Sequence, residues 1–176
     1  MPEHNALNKK LVDAYNRMLE RLHTAMEEVG QHARPAFQEQ LKQAAEKASE
    51  LGELGREEAE EIAGYLKRDI DDAAQWMANN GDELKDWLRF DIEQVETRLF
   101  EAMSSVADKT RLELQKLEHQ ADVLGEWHTG EITGIGTLVC SGCGELLHFH
   151  SSGHIPPCPK CHGSVFHRIS HYAEVE

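Results

Sequence analysis

Cys140-Ser141-Gly142-Cys143 and, fourteen residues later, Cys158-Pro159-Lys160-Cys161 contain every cysteine of the 176-residue chain. Two residues between paired thiols let one tight turn present both sulfurs to a single ion, and two such turns complete the tetrahedron that zinc prefers. Gly144 and Gly163 follow the two pairs closely, where a turn needs backbone freedom, and Pro159 helps to fix the second turn. The residues between the pairs are too few for a helical domain and enough for a short hairpin. The spacing therefore predicts one closed structural zinc site, with Cys140, Cys143, Cys158 and Cys161 as ligands. A site closed by four thiolates holds a fold together and leaves no position for water activation.

Composition divides the chain at the same place. Residues 1–124 carry 27 Asp and Glu against 16 Lys and Arg, and residues 125–176 carry 5 against 2, giving −11 and −3 of the total −14. This predicts an acidic helical region, 1–124, and a zinc ribbon domain, 125–176. Four thiolates around one zinc add two further negative charges to the ribbon. With Lys160 and Arg168 as its only cations, the ribbon is poorly suited to neutralise phosphates, which argues against direct nucleic-acid binding and for a basic protein partner. The Met-Pro-Glu-His-Asn start lacks the layout of a secretory signal, and no run of eighteen apolar residues occurs. A cytoplasmic protein without a membrane span is expected, and a reducing compartment favours metal ligation over disulfides for its four thiols.

Upstream, apolar residues recur at helical steps. Leu7, Leu11, Tyr15, Met18, Leu22, Ala25 and Val29 mark a first helix, ended by Gly30. Pro35 suits the start of a second, through Phe37, Leu41, Ala44, Ala45, Ala48 and Leu51. After a break at Gly52 and Gly55, Ile62, Leu66, Ile70, Ala73 and Met77 mark a third, closed by Asn79-Asn80-Gly81. Asp82 suits the cap of a fourth helix running through Leu84, Leu88, Ile92, Val95, Leu99, Met103 and Val106. Asp108 or Thr110 suits the cap of a fifth, with Glu113 placed as in a capping box, and Leu114, Leu117, Ala121 and Leu124 on its apolar face before Gly125. The fold class is mainly α: an elongated helical hairpin, coiled coil or bundle, followed by a small C-terminal β zinc ribbon. Narrow stripes with charged outer faces favour a coiled-coil-like arm that could join two copies as a homodimer.

Past Gly125, glycines, threonines and branched residues indicate strands and turns. Trp127, Ile132, Ile135, Leu138, Val139, Leu147, Phe149, Ile155, Val165, Phe166 and Ile169 are candidates to cover the metal. With the stretch Thr129–Cys140, Pro157-Cys-Pro-Lys-Cys161 and Phe166 downstream, and an acidic helical region upstream, the chain resembles the bacterial YbeL-like zinc-ribbon family, a domain family of unknown function. The resemblance implies a four-cysteine ribbon carried behind helices and implies no activity. His162 stands where a glycine often follows the last cysteine of such a turn, so the second turn is expected to be less regular.

Other chemistries find less support. A rubrerythrin-like iron oxidoreductase needs two Glu-x-x-His motifs in its helices, and Glu20-Arg-Leu-His23 is the only one in the helical region. Iron in the ribbon is compatible with four thiolates, although zinc is the expected ion. Seven histidines lie after Gly125, and His148 and His150, two apart on a strand, are candidates for a second metal site or a pH-sensitive patch; ordinary polar surface is the plainer reading. Gly134-Ile-Gly136 lacks the third glycine and following helix of a dinucleotide loop. Trp76 and Trp87 read as helix-contact residues. The sequence thus predicts a non-enzymatic zinc-binding protein whose helical arm contacts other proteins as an adaptor or regulator. The alternative is a factor associated with transcription or translation machinery. Loss of one cysteine is expected to unfold the ribbon and leave the helices standing.

Overall fold

The structure, a computed structural model, describes residues 2–28, 37–80, 87–88, 93, 95–114 and 125–169. Among the described residues, four helices come first: α1 (Pro2–Glu28), α2 (Phe37–Glu50), α3 (Arg56–Asn80) and α4 (Thr97–Leu114). Six short strands follow: β1 (Trp127–His128), β2 (Ile132–Thr133), β3 (Gly136–Cys140), β4 (Leu146–Phe149), β5 (Gly153–His154) and β6 (Val165–Arg168). Val29, Gly30, Pro35, Gly81, Asp82, Leu84, Ile92, Leu117, Ala121 and Leu124, named above as helix signals, lie outside the described residues.

The break between α2 and α3 follows directly from its glycines. Gly52 adopts φ +69°, while its N–H bonds the Ser49 carbonyl at 3.1 Å and the Glu53 N–H bonds that of Ala48 at 3.0 Å. This is the left-handed helix stop that glycine permits. Leu54 then buries itself, and Gly55 opens α3: its N–H donates to Glu58 Oε2 at 3.0 Å and its carbonyl accepts from Ala59 N at 2.9 Å. Glu58 supplies half of a capping box, and the Gly55 N–H holds its carboxyl below the usual range.

The fourth and fifth helices differ from expectation. The chain bends at Val95, and α4 starts at Thr97 because the Glu96 N–H is taken by the His150 carbonyl of the ribbon, 3.2 Å away, while the Glu96 carbonyl accepts from Phe100 N. Neither Asp108 nor Thr110 starts a helix. Both lie inside α4, where the buried Thr110 hydroxyl bonds back to the Val106 carbonyl at 2.7 Å. That local bond satisfies the side chain within a helix, so no cap is required.

The helices pack as a bundle around one core. It draws Tyr15, Met18, Leu19, Leu22 and Met26 from α1, the small-residue face of α2, Ile62, Leu66 and Ile70 from α3, and Leu99, Met103 and Val106 from α4. Alanines flanking these stripes, including Ala73, Ala74, Ala102 and Ala107, are also buried. They let helix axes approach and widen each stripe beyond a coiled-coil seam. Leu7, at the start of the first stripe, remains exposed.

In the ribbon, β1, β6, β3 and β4 form one antiparallel sheet in that order, and β2 pairs with β5. Trp127, Leu138, Leu147, Ile155 and Phe166 form a core with Cys140 and Cys158, against which Phe149 and Cys143 pack. Ile132 and Ile135 do not join it. They belong to the helical core, because β2 and the turn after it lie against α1 and α3. The ribbon and the helices thus share buried side chains.

Candidate metal centre

The first turn leaves the end of β3 and the second precedes β6. Each is built by the same two backbone bonds. Gly144 N donates to the Cys140 carbonyl and His162 N to that of Cys158, both at 2.9 Å; Cys140 N donates to the Glu145 carbonyl at 2.8 Å and Cys158 N to that of Gly163 at 2.9 Å. The residue after each second cysteine is left-handed, Gly144 at φ +77° and His162 at φ +61°. The second turn is therefore as regular as the first, and His162 adopts the conformation that glycine would adopt without strain.

These turns bring all four predicted ligands together. Their sulfurs lie within 4.8 Å of one another, with Cys140 Sγ 3.5 Å from Cys161 Sγ and Cys143 Sγ 3.6 Å from Cys158 Sγ. Zinc–sulfur bonds of about 2.3 Å in a tetrahedron require sulfurs about 3.8 Å apart, so the four thiols fit such an ion. Cys140 and Cys158 are buried, Cys143 is partly exposed and Cys161 is exposed.

The thiols ionise unequally. The Cys161 N–H, opposed by burial and assisted by the Lys160 N–H and neighbouring sulfurs, holds Cys158 down to about 7. The Glu145 N–H pulls Cys143 down, but burial and the sulfurs of Cys161, Cys158 and Cys140 push it up to about 12. Crowded thiolates repel, so they cannot all ionise without a cation.

What seats this centre on the helices was not legible beforehand. Asp69 of α3 is fully buried. Its carboxylate accepts from Tyr15 OH at 2.6 Å, Gly134 N at 2.8 Å and Trp127 Nε1 at 2.8 Å, and from the Thr133 hydroxyl at 3.3 Å. Arg168 of β6, also buried, donates to Asp69 at 3.3 Å, to Thr133 Oγ1 at 2.8 Å and to the Ile135 carbonyl at 3.3 Å. Burial raises the Asp69 carboxyl, yet Arg68, Arg168 and the donors around it bring it below its usual range. Burial, then Asp69 itself, pushes the Tyr15 hydroxyl well up.

Around this pair runs a stack. Arg168 lies 4.7 Å from the Trp87 ring centroid and 5.1 Å from that of Trp127, and Arg68 lies 4.8 Å from Trp127 on its way to Tyr65 at 5.3 Å. Arg68 also pairs with Glu131 and donates to the Ile132 carbonyl at 3.1 Å. Asp69 is thus paired with Arg168 and Arg68, and Arg68 with Glu131 as well, as buried charges require. Trp87, read as a helix-contact residue, meets α3 through its Nε1, which donates to Asp72 at 3.0 Å, and stacks on an arginine of the ribbon as well.

The turn geometry, sulfur cluster and ribbon sheet agree with the family model for a zinc-ribbon containing domain, which matches residues 24–170. This chain belongs to that family. Similar proteins include the uncharacterized protein YbeL of Escherichia coli K12 and those of the same name in strains O6:H1 and O157:H7. Each is 33% identical over 78 residues, covering 42% of this chain and 46% of the relative. The match spans less than half the length of these relatives. No solved structure matches.

Other candidates do not converge. Among the described residues, the four cysteines are the one group of three or more potential ligands that meets. His148 Nδ1 lies 2.9 Å from Thr137 Oγ1, whose hydrogen goes to the Leu88 carbonyl at 2.6 Å, so the imidazole is the donor. His154 bridges the carbonyls of Gly130 and Asn8. Glu20 is exposed and His23 pairs with Glu27 at 3.7 Å on the bundle surface. No described helix is long and apolar enough to cross a membrane.

Proposed function

We propose that the four cysteines hold one structural zinc per chain and that the acidic helical bundle, kept in register with the ribbon, serves as a non-enzymatic docking platform for a basic protein. The observation that carries the metal half is the sulfur cluster: four thiols within 4.8 Å, supplied by two turns with matching hydrogen bonds. Zinc bound there supplies folding energy to a ribbon whose own core is small.

Surface charge supports the platform. Of the two ribbon cations, Arg168 is buried and Lys160 lies 3.7 Å from Glu145, which leaves little to meet phosphate. The helix stripes are largely spent inside the chain, so a homodimer would have to use the outer faces. A net charge of −14 suits a basic partner instead. A cytoplasmic setting agrees with reduced thiols.

Metal content and the visible spectrum of protein purified without added metal provide the test. One zinc per chain and no visible absorption are expected; a red iron–thiolate protein would replace this reading with a redox one. Binding to naked DNA or RNA that weakens steeply with salt would overturn the partner assignment.

A further inference from the structure

The metal centre has one open side. Cys140 and Cys158 are buried, but Cys161 is exposed. Two glycines stand over this side. A Cβ on Gly142 would meet Cys161 Sγ at 3.5 Å and Cys140 Sγ at 3.8 Å, and one on Gly163 would meet the same two sulfurs at 3.2 and 3.4 Å. With no side chain at either position, neither residue shields this sulfur pair. Cys140 Sγ, the buried member, lies 3.5 Å from Cys161 Sγ. An accessible sulfur kept as thiolate by metal, beside a second thiolate able to resolve it, is the arrangement on which a hydroperoxide acts.

We propose that Cys161 is an oxidation site for hydroperoxides and Cys140 its resolving partner, so that oxidation opens the metal centre. This rests on the zinc reading above. The Cys161 thiolate attacks the terminal peroxide oxygen; an S–O bond forms, the O–O bond breaks and hydroxide, or alkoxide from an organic hydroperoxide, leaves, giving a sulfenic acid. The Cys140 thiolate then attacks the Cys161 sulfur; an S–S bond forms, the S–O bond breaks and hydroxide leaves. Two thiolates lose two electrons in all and one peroxide is reduced. Cys143 and Cys158 remain, half of the ligand set, and the ion is released. A dithiol reductant reverses the disulfide and restores the site.

The full chain is tested after its zinc content has been measured. Hydrogen peroxide is added with a chromogenic zinc chelator, a sulfenic-acid trap labels early samples, and late samples are mapped without reduction. Expected are an early label on Cys161, zinc loss in step with a Cys140–Cys161 disulfide, and recovery after dithiol and zinc. Gly142→Ala, whose methyl reaches both sulfurs at ordinary contact distance, is expected to keep its zinc and release it several-fold more slowly. The proposal is overturned if zinc stays bound, if the first label falls on another cysteine, if the disulfide lies within one turn, or if Gly142→Ala releases zinc at the parental rate. Absence of zinc before peroxide is added would instead overturn the zinc reading.

Discussion

The guanidinium of Arg168 in the ribbon meets the carboxylate of Asp69 in the helical bundle at 3.3 Å, and their side chains are only 1% and 0% exposed. Such a pair contributes little as an attraction, because both charges have lost their water, yet removing one member strands the other. Asp69→Asn should therefore lower stability by about 3–5 kcal/mol, a fall in Tm of roughly 6–20 °C for a chain of this size. Adding Arg168→Met to Asp69→Asn should recover part of this loss, since no guanidinium is then left buried opposite a neutral group and the asparagine oxygen still accepts from the surrounding donors. Thermal melts of the two variants beside the parent check both statements; equal losses would show that the wider donor set, not the ion pair, governs the site.

Metal removal should reach the helices. The Ser141 N–H bonds the Val165 carbonyl at 3.0 Å and Cys140 pairs with Phe166, so the first turn is tied to β6. Arg168 ends that strand, and Ile132 and Ile135 sit in the helical core. The expectation that the helices stand unchanged when the ribbon unfolds takes no account of these shared contacts. Hydrogen exchange of the full chain with and without a zinc chelator should show faster exchange in α3 around Asp69 as well as in the strands. Unchanged protection of α3 would mean that the bundle folds independently.

Gly136 opens β3 at φ +136°, and a Cβ there would collide with Arg168 Nη1 and come within 3.0 Å of the Trp87 ring. Gly136→Ala thus combines a conformation unsuited to L side chains with displacement of the stacked arginine. A loss of about 2–4 kcal/mol is expected, and the same change at Gly64, where nothing lies within 4 Å and the residue is helical, should gain up to about 1 kcal/mol. Denaturant titration of both variants separates the two directions.

The cysteine spacing made the metal centre legible, and the apolar periods made α1, α2 and α3 legible. The junction was hidden by its polarity. Asp69 lies three residues after Leu66 and four before Ala73, on the same helical stripe, but an aspartate in an acidic helix reads as solvent-facing. Arg168 shares the inward register of Phe166, two residues earlier, yet an arginine by its type reads as solvent-facing. Both became core residues because each satisfies the other. The break before α4 was hidden for a related reason: Glu96 is stopped by a carbonyl 54 residues away, at His150, which no local pattern contains.

Zinc affinity should rise with pH, more steeply below neutrality. Binding replaces thiol protons by metal, and each displaced proton makes apparent affinity about tenfold pH-dependent per unit. Cys143, pushed up to about 12, carries its proton at neutral pH. The Gly163 N–H and Cys143 pull Cys161 down, but Cys140, burial and Cys158 together leave it raised as well. Cys158, held near 7, joins them only as pH falls through that value. Chelator competition between about pH 6 and 8 should show the slope increasing toward the acid side by close to one proton. A constant slope would mean that no thiol of the cluster titrates near neutrality.

His162 offers the most local test of the second turn. A non-glycine residue held left-handed at φ +61° is strained by about 1–2 kcal/mol, and glycine at the same position relieves this while adding freedom to the unfolded chain. His162→Gly should leave a net gain of about 0.5–1 kcal/mol, read as two- to fivefold tighter zinc binding in chelator competition. His162→Val should move affinity the other way, because a β-branched side chain tolerates this conformation least. The two substitutions remove the same imidazole, so opposite shifts would assign the effect to backbone conformation, whereas parallel shifts would assign it to the lost ring.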